Sequence, residues 1–458
     1  MPPTDAPSLS APLPTVPPPA VFATLSKVLA MSLPLMVGAV ITSALNLGKI
    51  AVLAHSGQTA ALATLSLLQP AFIFALALME GLAITNQVFS ARSRFNWPRR
   101  GIVRASRYLS VLGVGLLGLC ALLAFALPRV IHFTDPAVLD TLQMLPLYLL
   151  SLAAFVVFDV YYGALRGQGK VMRSLLPFAA LSAIDIGVTC LLCLHYGWGF
   201  EAVLVGNIAG PLLMLPVIIW LLHHEAGKGP DVPAGAVRAR LTQLLLVVGT
   251  PLAASILAGS VSAALIFPVL ADLGRDNAAG FMIVVRFRIL FMIPAIAFGS
   301  VIAILMNQEA ETEAPAQRLR YLLVGVPVLL LAYAAGTFAL PYFSQPVLDL
   351  LLSQRGDGAD LRNVTAAILQ ALHITFFLVA GAAMLQVILE QLDRGPQVLL
   401  ITVLTEAATV AAVVYAIRNG GDLADVMQIL RAIAGASFVL LGLLTVVLYA
   451  RMRRADAV

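Results

Sequence analysis

Charge is the scarcest property of this sequence. Only 11% of its 458 residues are Asp, Glu, Lys or Arg, against roughly 25% in soluble globular proteins. That is too little to clothe a water-exposed surface, and a net charge of +5 supplies no strong basic field for nucleic acid. Cysteine is almost missing as well. Cys120, Cys190 and Cys193 are the only three. Cys190 and Cys193 have CxxC spacing inside an apolar run, without the further polar ligands a zinc site needs, so they read as small packing residues. No HExxH, no supported GxSxG and no Asp/His cluster at one bilayer face is present, which excludes a membrane-embedded enzyme of those kinds. Neither metal nor cofactor is expected. The repeated polar rings of a channel are also lacking. The opening "MPPTDAPSLSAPLPTVPPPAV" has no positive n-region and no apolar h-region, so it does not read as a secretory signal. Its proline content is that of a disordered tail.

What the chain does have is hydrophobic length. Sixty per cent of it is hydrophobic, gathered into runs of the ~20 residues needed to cross a bilayer as a helix. Twelve runs qualify, centred near Val37, Phe74, Leu117, Leu150, Ile184, Leu212, Ala254, Phe291, Leu330, Phe376, Leu404 and Phe438. The fold class is therefore an all-α polytopic membrane protein with twelve transmembrane helices. The stretch "LPYFSQPVLDLLLSQRGDGADLRN" reads as a longer loop with room for an interfacial helix. Basic residues divide unequally between the two sets of connections. Nineteen of 28 fall on the side of both termini, including the run "RSRFNWPRRGIVRASR" between helices 2 and 3, and five fall on the other. The positive-inside rule then places both termini in the cytoplasm, as expected for an integral protein of the plasma (inner) membrane.

The polar connection "HHEAGKGPDVPAGAVRAR" splits the spans six and six. The expected organisation is a proline-rich tail over 1–24, a first lobe over 25–223, a linker over 224–240, a second lobe over 241–452 and a short tail over 453–458. Weak echoes link the halves: "TNQ" ending at Gln87 with "MNQ" ending at Gln308, and Asp185 with Glu406, both 221 residues apart. With an even number of spans per half, such repeats run parallel rather than inverted.

Three stretches carry a family resemblance. "LPLMVGAVITSALNLGKIAVLAHSGQTAALATLSL", "YYGALRGQGKVMRSLLP" and "RFRILFMIPAIAFGSVIAILMNQ" resemble the first helix, the segment before helix 5 and helix 8 of multidrug and toxic compound extrusion (MATE) transporters. These belong to a wider superfamily that includes lipid-linked sugar flippases. The resemblance implies two six-helix bundles around a V-shaped cavity, and export by alternating access. It also exposes a departure. Where the proton- or sodium-coupled members commonly carry a carboxylate in helix 1, this sequence has Lys49. A protonated lysine offers no lone pair and cannot coordinate sodium.

Ionisable groups inside spans face a bundle interior or a wet cavity. Thr42, Asn46 and Lys49 share one face of helix 1, as do Ser182, Asp185 and Thr189 in helix 5 and Thr402, Glu406 and Thr409 in helix 11. Depth along the helices suggests a Lys49–Asp185 pair in the first lobe and an Arg286–Glu406 pair in the second. Lys49 is also shallow enough for its ammonium to reach the outer headgroups. Glu80, Asp159 and Arg288 are secondary candidates, for a gate, an inter-helix bond or the cavity wall. The functional expectation is a monomeric exporter of a small organic compound, coupled to H+ or Na+, with Asp185 as the proton-sensitive group. The alternative is a flippase for an anionic lipid-linked substrate, drawn to a cavity made positive by Lys49, Arg286 and Arg288.

Overall fold

The computed structural model describes residues 21–96, 100–130, 136–226, 232–309, 315–351 and 357–455. Among the described residues there are helices and turns and no strand. A chain in lipid must satisfy its backbone polar groups within each segment, and apolar runs of this length do so as helices. The first half holds α1 (Val21–His55), α2 (Thr59–Leu67), α3 (Gln69–Asn96), α4 (Arg100–Val130), α5 (Pro136–Ser151), α6 (Ala153–Gly167), α7 (Val171–Leu194) and α8 (Phe200–Ala226). The second holds α9 (Ala234–Leu244), α10 (Thr250–Ala271), α11 (Arg275–Gln308), α12 (Pro315–Leu351), α13 (Asp357–Leu389), α14 (Gly395–Arg418) and α15 (Leu423–Ala455).

Among the described residues, eleven stretches are long and apolar enough to cross a membrane. One of them, Leu361–Arg418, contains both α13 and α14. These two meet at a break where Leu392 and Asp393 leave helical geometry, Asp393 with φ 63°. The chain therefore makes twelve passes. The fourth is α5 with α6, and the seventh is α9 with α10 through a π turn at Leu245–Gly249. The nine-residue α2 is too short to span.

Two expectations change. The stretch after helix 9, read as a longer loop with room for an interfacial helix, continues the neighbouring spans among the described residues: α12 runs on to Leu351 and α13 begins at Asp357. Likewise, the basic run read as a loop lies mostly on helix ends. α3 extends to Asn96 and α4 starts at Arg100, which puts Arg92 inside a helix.

The halves are built alike. In the first, α7 packs on α1 and α8, and α6 packs on α3, α4 and α8. In the second, α14 packs on α10 and α15, and α13 packs on α11, α12 and α15. Each pairing has its counterpart six passes later, the arrangement of a parallel repeat. The bundles interlock at the end that carries the first and last described residues. There Val28 and Leu35 of α1 join the core of the second bundle, while Val237, Leu241 and Leu244 of α9 join the core of the first.

Candidate functional site

A charged cluster is enclosed within the first bundle. Lys49, on α1, is 8% exposed, and Asp185, on α7, is 2% exposed. The lysine Nζ lies 2.7 Å from Asp185 Oδ2 and donates to Asn207 Oδ1 of α8. Asn207 Nδ2 in turn donates to Ser151 Oγ of α5 at 3.0 Å. Thr189, one turn beyond Asp185, donates to the aspartate's backbone carbonyl at 2.8 Å. α8 comes this close because residue 206 is glycine: a Cβ there would sit 2.5 Å from Asp185 Oδ1 and 2.3 Å from Thr189 Oγ1. Isolated charges in so apolar a place would cost several kcal/mol each, so pairing is what makes the burial tolerable.

The large cavity lies elsewhere, between the bundles. Its volume is about 770 Å³, within the range of small-molecule sites. Leu35, Gly38 and Thr42 of α1 line it together with α3, α6 and α7 on one side and α10, α11, α13, α14 and α15 on the other. Among the described residues, six acidic and basic side chains face it: Glu80, Asp159, Arg166, Arg288, Glu390 and Glu406. On the first-bundle wall the charges of Glu80 and Arg166 both act on Asp159, and the Arg166 guanidinium carbon lies 4.7 Å from the centre of the Tyr162 ring. On the opposite wall the charge of Glu406 acts on Arg288, with no direct ion pair between them among the described residues. Glu390, 1% exposed, accepts from Gln386 Nε2 at 3.0 Å.

A set of hydrogen bonds seals one end of this cavity. Gln87 of α3 donates to Ser300 Oγ of α11 at 3.0 Å and to Gln391 Oε1 at 2.9 Å. Arg92 donates to Asn307 Oδ1 at 2.9 Å and to the Gln391 carbonyl at 3.3 Å, and pairs with Asp393 Oδ2 at 2.9 Å. In the reverse direction Gln308 Nε2 donates to the Gly167 carbonyl at 2.7 Å. Each bundle thus supplies a donor to a helix-end carbonyl of the other, groups that lack partners in their own helix.

The structure brings some expected residues together and separates others. Lys49, Asp185 and Thr189 form one cluster, but none of them lines the cavity. The side chain of Asn46 lies outside the described residues. Thr42, Glu80, Asp159, Arg288 and Glu406 line the cavity, with Thr402 and Thr409 beside the last. The expected Arg286–Glu406 pair is a correction: Arg286 is exposed, and Arg288 takes its place. Two positions along a helix turn a side chain by about 200°, so only one of these arginines can face the cavity. Asn207, Ser151 and Arg166 went unread. The neutral pair carries no charge signal, and Arg166 sits near a span end, where basic residues mostly report topology.

No protein-family model and no curated protein sequence matches the chain. Solved structures do. A MOP superfamily transporter from Pyrococcus furiosus, described by the reversed polarity of its binding pocket, superposes with a TM-score of 0.82 at 17% identity, over 94% of this chain and 97% of that one. An outward-facing multidrug resistance MATE family transporter gives 0.80 at 16% identity over the same shares. A MATE in a bent conformation gives 0.78 at 18%, over 95% of this chain and 97% of that one. The chain therefore has the fold of the MATE and MOP transporters.

Proposed function

We propose that this chain is a MATE-type secondary active transporter, exporting a small organic compound by alternating access at the expense of a cation gradient. The observation that carries this reading is the cavity between two like-built bundles, latched at one end by Gln87, Arg92 and Gln308. Alternating access needs two states whose balance a ligand can tilt. Breaking one set of polar contacts while forming another at the far end is a physical way to provide them. The bias of Lys and Arg toward the latched end supports a cytoplasmic position for it, so the cavity here faces outward. The chain would then lie in the plasma (inner) membrane with both termini inside the cell.

The charges favour a cationic or zwitterionic compound. Glu80, Asp159, Glu390 and Glu406 outnumber Arg166 and Arg288 on the cavity wall. The flippase alternative drew on Lys49, Arg286 and Arg288, yet the first is enclosed with Asp185, the second points away, and of the three only Arg288 lines the cavity, opposite Glu406. The test is efflux of the monocationic dye ethidium from proteoliposomes, under a proton gradient and, in a separate arm, a sodium gradient. Gradient-dependent loss of dye above that of protein-free vesicles supports the reading. Loss equal to that of protein-free vesicles in both arms sinks it.

A further inference from the structure

Enclosure sets the Lys49–Asp185 pair apart from the rest of the acidic groups. Its carboxylate already has the lysine Nζ at 2.7 Å, and neither partner borders the cavity. A cation arriving from solution would have to displace a covalently tethered ammonium. The acids on the first-bundle wall are in the opposite situation. Asp159 is 9% exposed and, like Glu80, makes no hydrogen bond or ion pair among the described residues. Both open onto the cavity. The charges acting on Asp159 are those of Glu80 on α3 and Arg166 on its own helix. From α1, α7 and α10 the same cavity is lined by Thr42, Phe178 and Ser262, none of them charged, and across it stand Glu390, Glu406 and Arg288. Tyr162, the other titratable group here, stacks on Phe178 with ring centres 5.2 Å apart.

Counting charge is instructive. Glu80 and Asp159 contribute two negative charges and Arg166 one positive, so the group is one positive charge short. Arg166 cannot supply more: its guanidinium lies over the Tyr162 ring, and its Nε and Nη2 are buried without a hydrogen-bond partner. Two carboxylates whose like charges act on each other share a proton more readily than isolated ones do.

We propose that Glu80 and Asp159 form an exchangeable proton site on the cavity wall, distinct from the Lys49–Asp185 pair. Uptake forms one O–H bond on a carboxylate oxygen and brings the group to neutrality; release restores the carboxylate and returns the proton to the cavity. The site adjoins the latch. Arg166 precedes Gly167, whose carbonyl accepts the bond from Gln308 across the bundles. A change of charge beside Arg166 therefore acts next to an interlobe contact.

This inference rests on the transporter reading, but its test does not need a substrate. Infrared difference spectra between acidic and alkaline buffers are recorded on the purified full-length protein in detergent. The parent is expected to show a protonated-carboxyl band that Glu80→Gln and Asp159→Asn each remove or displace, and that Asp185→Asn leaves in place. Glu390→Gln, the internal comparison, removes only a separate component. Asp159→Glu, which keeps the acid, retains the band and guards against loss through misfolding. A band unaffected by Glu80→Gln and Asp159→Asn, or one lost in Asp185→Asn, overturns the proposal. Either result leaves the dye-efflux experiment to decide the transporter reading separately.

Discussion

Lys49 and Asp185, 136 positions apart in the sequence, form an ion pair of 2.7 Å whose side chains are only 10% and 3% exposed. Removing one partner strands a charge in an apolar interior. Lys49→Met and Asp185→Asn are each expected to lower stability by about 3–5 kcal/mol, read as a lower Tm in detergent. Replacing both, Lys49→Met with Asp185→Leu, removes the charges together and is expected to recover most of that loss. Single variants as stable as the parent would show that the pair is not enclosed.

Arg288 and Arg286 provide a matched comparison on one helix. Arg288 lines the cavity opposite Glu406, whereas Arg286 is exposed on the other side of α11. Glu406→Gln is expected to weaken ethidium binding by about ten-fold, the loss of roughly 1.4 kcal/mol of attraction to the dye's positive charge. Arg286→Ala should leave the affinity within two-fold or so, since exposed charges contribute little at a distance. Fluorescence titration of the purified protein reads both.

That comparison also shows where the sequence stops being informative. The apolar runs were long enough to announce twelve passes, because a bilayer sets the length of a span regardless of tertiary context. The Lys49–Asp185 pair was legible too, since a charge in a span needs a partner and few were on offer. Rotation about a helix axis is different. Nothing local distinguishes Arg286 from Arg288, and the choice is made by how α11 seats against α13 and α1. Arg92 was read as a topology anchor because basic residues near span ends so often are. Its contacts with Asn307, Gln391 and Asp393 are long-range and leave no local pattern.

Two glycines let α6, which carries Asp159, lie close against α3, which carries Glu80. A Cβ at residue 163 would fall 2.4 Å from the Ala83 carbonyl oxygen, and one at residue 167 would fall 2.2 Å from that of Gln87. Small residues at membrane helix contacts allow this closeness of backbones. Gly163→Ala is expected to cost about 1–3 kcal/mol through overpacking, seen as a lowered Tm. Gly187→Ala, where a Cβ meets open space, should leave Tm near that of the parent.

The central claim is that the bundles rock against each other about a cavity latched by Arg92 and its partners. The measurement is double electron–electron resonance on spin-labelled protein in which Cys120, Cys190 and Cys193 are replaced. One label pair replaces the exposed Tyr196 and Tyr415 at the open end, and a second replaces the exposed Met172 and Leu323 toward the latched end. Removing the charge-assisted contacts of Arg92, worth about 1.5–3 kcal/mol each, should favour the opposite state roughly ten-fold or more. In Arg92→Ala the account predicts a new population in which the latched-end distance lengthens and the open-end distance shortens. If both distances in Arg92→Ala match those of the parent, the rocking account is contradicted.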